Sequence, residues 1–226
     1  MSGDLKHALL LAVGFALLFA SAEWAYHKRR VPAEYTRKYV HLGTGILAMA
    51  FPFLFSDHWP VLILCGGFLV ILLLSLKFGL LLSINAVDRK TRGSLLFPIV
   101  VYGCFLVHRH YGLYIFYYLP ILVLAFCDPA AAFVGKRWPW GRFTLLGHTK
   151  TLSGSLAFFV VATVLGVVLF RSAEEAPMGE ALVLALLVAA STAGAEAVTH
   201  WGYDNLTIPT VATAILAFAK SGFSFF

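Results

Sequence analysis

Residues 59–76 read WPVLILCGGFLVILLLSL, eighteen positions without a charged side chain, followed directly by Lys77. A helix needs about 20 mostly apolar residues to cross the hydrocarbon core of a bilayer, so the stretch reads as a transmembrane helix. Working outward, further apolar runs occupy Leu5 to Tyr26, Tyr39 to Phe55, Leu95 to Val107, Leu113 to Cys127, Leu152 to Phe170, Ala181 to Thr199 and Ile208 to Phe218. Those at Leu95, Leu113 and Ile208 are short for a bilayer. The set predicts an all-α fold, a polytopic transmembrane helical bundle with about eight candidate spans, in which residues 1–226 form a single integral membrane domain.

Composition points the same way. The 226 residues are 60% hydrophobic and only 12% charged, whereas a soluble domain carries about 25% charged residues. Lipid therefore has to be part of the solvent. A net charge of +6 would suggest nucleic acid in a soluble protein, but in a membrane protein Lys and Arg collect in cytoplasmic loops, so membrane lipids are the expected partners and nucleic acid is not. Cys65, Cys104 and Cys127 are odd in number and lie in apolar stretches, which argues for reduced thiols. Ala20-Ser21-Ala22 looks like a signal-peptidase site, yet the basic cluster Lys28-Arg29-Arg30 follows the apolar run where a cleaved signal has its charge before it; the first helix is expected to be retained.

Positive charge alternates from loop to loop. Lys28, Arg29, Arg30, Arg37 and Lys38 follow the first run, Lys77, Arg89, Lys90 and Arg92 the third, and Lys136, Arg137, Arg142 and Lys150 the fifth, while the intervening loops hold only Arg109 and Arg171. The positive-inside rule then predicts a multi-pass protein with its N-terminus outside and these basic loops in the cytoplasm. His41, Asp128, Lys150, Glu196, Asp204 and Asn205 all fall in or beside the cytoplasmic loops. A transporter would more often place ionisable groups at the midplane between repeated halves, and the chain has no internal repeat. Polar chemistry on one face suits an enzyme that joins a water-soluble cytoplasmic substrate to a lipid.

Four segments carry candidate chemistry. Arg37-Lys38 opens the second run with His41 one turn inside, a helix start suited to an anion, although both cations could be snorkelling anchors. In Asp128-Pro129-Ala130-Ala131-Ala132 an acid interrupts an apolar run; Asp128 reads as a Mg²⁺ ligand, or else as a helix cap before a proline. Gly147-His148-Thr149-Lys150-Thr151-Leu152-Ser153-Gly154-Ser155 reads as a phosphate cradle of hydroxyls, glycine and one Lys, without Walker A spacing. Finally, Glu196 and His200 are spaced to share a helix face and either could accept a hydroxyl proton, while Asp204 or Asn205 could complete a metal shell or cap the last helix. Glu23 reads as an interface-facing residue or a structural partner near Lys28, and Tyr111, Tyr114, Phe116, Tyr117 and Tyr118 as an interfacial belt on the outer side.

The ordered set Arg37-Lys38…His41, Asp128-Pro129-Ala130-Ala131 with Gly135-Lys136-Arg137, Lys150-Thr151-Leu152-Ser153-Gly154-Ser155 and Asp204-Asn205 with Pro209 resembles the phytol kinase and dolichol kinase family. The resemblance spans most of the chain. It implies a polytopic catalytic domain that phosphorylates an isoprenoid alcohol with CTP and a divalent metal, and a distant similarity to phosphatidate cytidylyltransferases. It also implies that Asp128, Lys136, Lys150, Asp204 and Asn205 belong to a nucleotide and metal site. Members often carry an acid where Ser153 stands here, and the short chain is closer to the phytol-kinase type. The expected catalytic residues are thus His41, Asp128 and Glu196. Arg37, Lys38, Lys136, Lys150, Thr151, Ser153, Gly154 and Ser155 are expected at the nucleoside triphosphate, and Asp128, Asp204 and Asn205 at Mg²⁺. Cytidylyl transfer to a lipid phosphate is the rival reaction, and a transporter or lipid carrier the rival of another class.

Overall fold

The computed structural model describes residues 3–87, 93–145, 147–220 and 222; Arg89, Lys90 and Arg92, counted above among the basic loop residues, lie outside them. Helices follow the apolar runs: α1 Gly3–Arg29, α2 Ala33–Ala48, α3 Phe51–Leu54, α4 His58–Phe78, α5 Leu82–Asn85 and α6 Gly93–Tyr111. Then α7 Ile115–Leu122 continues through a π-wound segment, Val123–Cys127, into α8 Asp128–Arg137. The strands β1 Arg142–Leu145 and β2 His148–Thr151 precede α9 Leu152–Ala173, α10 Met178–Val198 and α11 Asp204–Ala219. The fold is a helical bundle. Among the described residues five helices are long and apolar enough to cross a membrane, Gly3–Arg29, His58–Phe78, Ile115–Arg137, Leu152–Ala173 and Met178–Val198.

The fifth apolar run does not stop at Cys127. It continues as helix through Arg137, and this central rod organises the packing. Phe116, Leu119, Val123, Leu124 and Cys127 pack with α9, α10 and α11. Tyr117, Tyr118 and Ile121 pack in a second cluster with α1, α2, α3, α4 and α6. At the crossing of α9 and α10 a Cβ on Gly166 would lie 2.8 Å from the Ala185 Cβ, the small-residue contact that lets membrane helices approach closely. The opposite face of α9 leaves Leu156, Val160, Val164 and Val168 exposed at four-residue spacing, a stripe for acyl chains.

The run Tyr39 to Phe55 is broken. Helix α2 ends at Ala48, and Pro52 belongs to the separate short α3. The break leaves carbonyls without helical donors, and the Tyr117 hydroxyl donates to Ala48 O at 2.7 Å while that of Tyr118 donates to Met49 O at 3.2 Å. This corrects the expected aromatic belt: Phe116 and Tyr117 are completely buried and Tyr118 nearly so. A tyrosine suits a membrane interface and a carbonyl-rich core equally, because both offer an apolar body and a polar tip a place.

Successive long helices alternate in direction. One end of the bundle therefore gathers the last turns of α1 and α10 and the first turns of α2, α6, α9 and α11. There Ser83 N donates to Glu23 Oε1 at 2.9 Å, Thr36 Oγ1 to Ser83 O at 2.6 Å, and Asn205 Nδ2 to Gly93 O at 2.7 Å. At the other end Asp57 accepts from His58 N at 2.6 Å and starts α4, and Glu174 Oε1 accepts from Ile115 N at 3.2 Å. The only strands among the described residues form an antiparallel hairpin, paired from Arg142 with Thr151 to Leu145 with His148. Periodicity gave no sign of it; Gly147, at φ +81°, supplies the left-handed turn residue it needs.

Candidate active site

The π-wound segment sits immediately before Asp128, and such widened turns recur at functional sites. Pro129 has no N–H, so the five-residue step of the π winding leaves the Leu124 carbonyl without its helical donor. His41 Nε2 lies 3.2 Å from that oxygen, and since a carbonyl only accepts, Nε2 carries the proton. Asp128 itself is helical, φ −63° and ψ −46°, so it does not cap a new helix. Its carboxylate is ion-paired with the Lys38 ammonium, the cationic partner that an acid at lipid depth requires.

A second pair completes the far wall. Lys150, on β2, pairs with the Glu196 carboxylate and also donates to the Glu196 carbonyl at 2.9 Å. Glu196 is buried on α10. The next residue, Thr151, caps α9 by accepting from Gly154 N at 3.1 Å, so the hairpin delivers Lys150 to the point where α9 begins. That cap is wedged between two glycines: a Cβ on Gly135 of α8 would lie 2.6 Å from Thr151 Oγ1, and one on Gly154 would lie 2.9 Å from Ala131 O. Gly135→Ala is therefore expected to push α8 off the cap and destabilise the protein by about 1–3 kcal/mol, read as a lowered thermal unfolding midpoint in detergent; an unchanged midpoint would show that the contact is loose.

These residues enclose a cavity of about 840 Å³ at this end of the bundle. Lys38, Asp128, Lys136, Lys150, Thr151, Gly154, Ser155, Glu196 and Asp204, all singled out in the sequence, line it. Lys136 stands over the Tyr35 ring, 5.8 Å from its centroid. Ser155 Oγ is buried without a hydrogen-bond partner among the described residues, a hydroxyl ready for a phosphate oxygen. Asp204 accepts from Asn205 N at 2.9 Å.

Four sequence candidates lie elsewhere. Arg37, His41 and Asn205 line a neighbouring apolar pocket, and Ser153 turns its hydroxyl to Trp138 O at 2.6 Å. The helix face expected to join Glu196 and His200 does not form, since α10 ends at Val198. His200 instead stacks on His148 with centroids 4.1 Å apart, and Trp201 stands edge-on to it at 4.9 Å. Sequence reasoning missed this aromatic wall and Tyr35; the signal available was an aromatic residue beside each polar motif.

Mg²⁺ fits the donor set in one form. Among the described residues no group of three or more His, Cys, Asp or Glu could hold a metal ion by itself, but Asp128 and Asp204 both face the cavity. Mg²⁺ is commonly held by one or two carboxylates, with substrate phosphates and water completing its shell.

No family model matches the chain, and no solved structure matches it. A phytol kinase of Synechocystis is 35% identical to it over 223 residues, which cover 94% of this chain and 93% of that relative. A CTP-dependent diacylglycerol kinase of Schizosaccharomyces pombe is 34% identical over 107 residues, 43% of this chain and 48% of that protein. The first alignment runs nearly end to end through every element that lines the cavity, and on that ground the chain belongs to the phytol kinase family.

Proposed function

We propose that this protein transfers the γ-phosphoryl group of CTP to the hydroxyl of an isoprenoid alcohol dissolved in the membrane, at the cytoplasmic mouth of the bundle. The observation that carries this reading is the convergence of two Lys–carboxylate pairs, Asp204 and the orphan Ser155 hydroxyl on one wide cavity beside an apolar pocket. The alcohol oxygen attacks the γ-phosphorus, the bond to the β,γ-bridging oxygen breaks, and CDP leaves. Little covalent chemistry falls to the protein, so positioning and charge are its work. Lys38, Lys150 and Lys136 set positive charge against the phosphates, joined by Arg37 from the adjoining pocket, and the Ser155 hydroxyl adds a donor. Asp128 and Asp204 are the residues that would hold Mg²⁺, whose charge offsets that of the triphosphate. Glu196 accepts the hydroxyl proton, His41 lines the adjoining apolar pocket, and the His148, His200 and Trp201 wall offers rings to the nucleobase.

The cytoplasmic side follows from charge. Lys28, Arg29, Arg37, Lys77, Lys136, Arg137, Arg142 and Lys150 belong to the cavity end, and Lys6, Arg109, Arg171 and Lys220 to the other. Single cysteines introduced at Lys136 and at Asp57 are expected to label from opposite sides of sealed vesicles, the first only from the cytoplasmic side; labelling of both from one side would defeat this orientation. Product analysis tests the reaction. Purified protein with CTP, Mg²⁺ and a prenol is expected to yield CDP and a prenyl phosphate carrying the γ-label. Pyrophosphate with a CDP-lipid would replace the kinase by a cytidylyltransferase, and solute movement in liposomes without nucleotide consumption would replace both by a carrier.

A further inference from the structure

The apolar pocket and the polar cavity share α2 as a wall. One turn of that helix serves both: Lys38 faces the cavity, while Arg37 and His41 line the pocket. From this polar head the pocket runs along α2 past Thr44 to Ala48, about 16 Å at the 1.5 Å rise of a helical residue. Thr44 adds no polarity to it, because its hydroxyl donates back to Val40 O at 2.8 Å. Phe68 of α4 and Val101 of α6 line its flank. Ala48 and Phe51 line its far end, and the Phe51 ring packs edge-on against Phe15 and Phe55 at 6.3 and 5.9 Å. The pocket is the smaller of the two and mostly apolar in its lining.

We propose that this slot binds the acceptor, taking one isoprenoid chain with its hydroxyl at His41 and its tail toward an end stop formed by Ala48 and Phe51, which sets chain length. The inference rests on the kinase reading above and deepens it. Two features select the occupant. The slot is polar only at the end that adjoins the cavity, as a single-headed amphiphile requires. At its head the His41 ring is held by the hydrogen bond from Nε2 to Leu124 O, which gives the slot a fixed polar end for the alcohol head.

Photolysis of the wild-type protein with a diazirine-bearing geranylgeraniol is expected to label peptides containing Phe68 and Val101; adducts confined to the outward face of α9 would overturn the proposal. Val101→Phe adds a ring to the wall of the slot. It is expected to shift the ratio of kcat/KM for farnesol over geranylgeraniol by at least about tenfold, in the range that a few methylenes are worth in an apolar pocket. A length preference unchanged in Val101→Phe protein that still binds CTP would also overturn it, as would competition by diacylglycerol equal to that of prenols. The two readings fail separately: adducts in the slot with no prenol phosphorylated would sink the kinase and leave the slot, whereas prenol phosphorylation with adducts elsewhere would do the reverse.

Discussion

Lys150→Met is expected to lower kcat by about 10²–10³-fold and to destabilise the bundle by about 3–5 kcal/mol. The two effects have separate origins in one ion pair. Glu196 is 6% exposed, and its carboxylate is matched by the Lys150 ammonium, which also serves the Glu196 carbonyl. Removing the cation leaves a carboxylate uncompensated at the edge of the hydrocarbon, the costly half of a broken buried pair. The double variant Lys150→Met/Glu196→Gln is expected to regain most of the stability, because a neutral amide has no charge to compensate, and none of the activity, because the charge facing the phosphates is still missing. Thermal unfolding in detergent beside a CTP-to-prenol transfer assay reads both quantities. Equal stability of the single and double variants would mean that Glu196 does not depend on Lys150, and full transfer by Lys150→Met would remove Lys150 from the phosphate site.

How far such a site can be read from sequence depends on the range of the interaction. Hydropathy is local, so the stretch at Trp59 to Leu76 announces a helix by itself, and charged loops report their side of the membrane one at a time. The motif residues Lys38, Asp128, Lys150, Glu196 and Asp204 were legible for a similar reason: each is a polar group whose presence beside an apolar run demands an explanation. Their partners were not. Lys38 pairs across 90 residues with Asp128, and Lys150 across 46 with Glu196, and no periodicity relates residues so far apart. The π winding at Val123–Cys127 was invisible because the insertion changes which way Asp128 faces without changing the apolar composition. Tyr117 was misassigned because its carbonyl partner exists only where α2 breaks. The division of labour between Lys38 and His41, three residues apart on α2 and lining different pockets, likewise needed the neighbouring helices in place.

Asp128→Asn is expected to lower transfer by about 10³-fold or more while leaving the fold nearly as stable, and the contrast follows from geometry. The amide keeps the size of the carboxylate and an oxygen that still accepts from Lys38. The Lys38 side chain is 25% exposed beside a wide polar cavity, so its ammonium retains water when its partner becomes neutral, unlike the cation-stripped Glu196. What vanishes is the negative charge that lines the cavity with Asp204 and would hold Mg²⁺. A raised Mg²⁺ requirement in the residual activity would separate loss of the metal ligand from loss of local structure. Asp57→Asn is the matched control: it makes the same chemical change at the opposite end, where Asp57 only starts α4, and Asn caps a helix as well as Asp. Transfer by that variant is expected to stay within about twofold of the parent, since it touches neither pocket. If Asp128→Asn kept full activity at saturating Mg²⁺, Asp128 would be a structural counter-ion for Lys38 and the metal would have to be held elsewhere on the cavity wall.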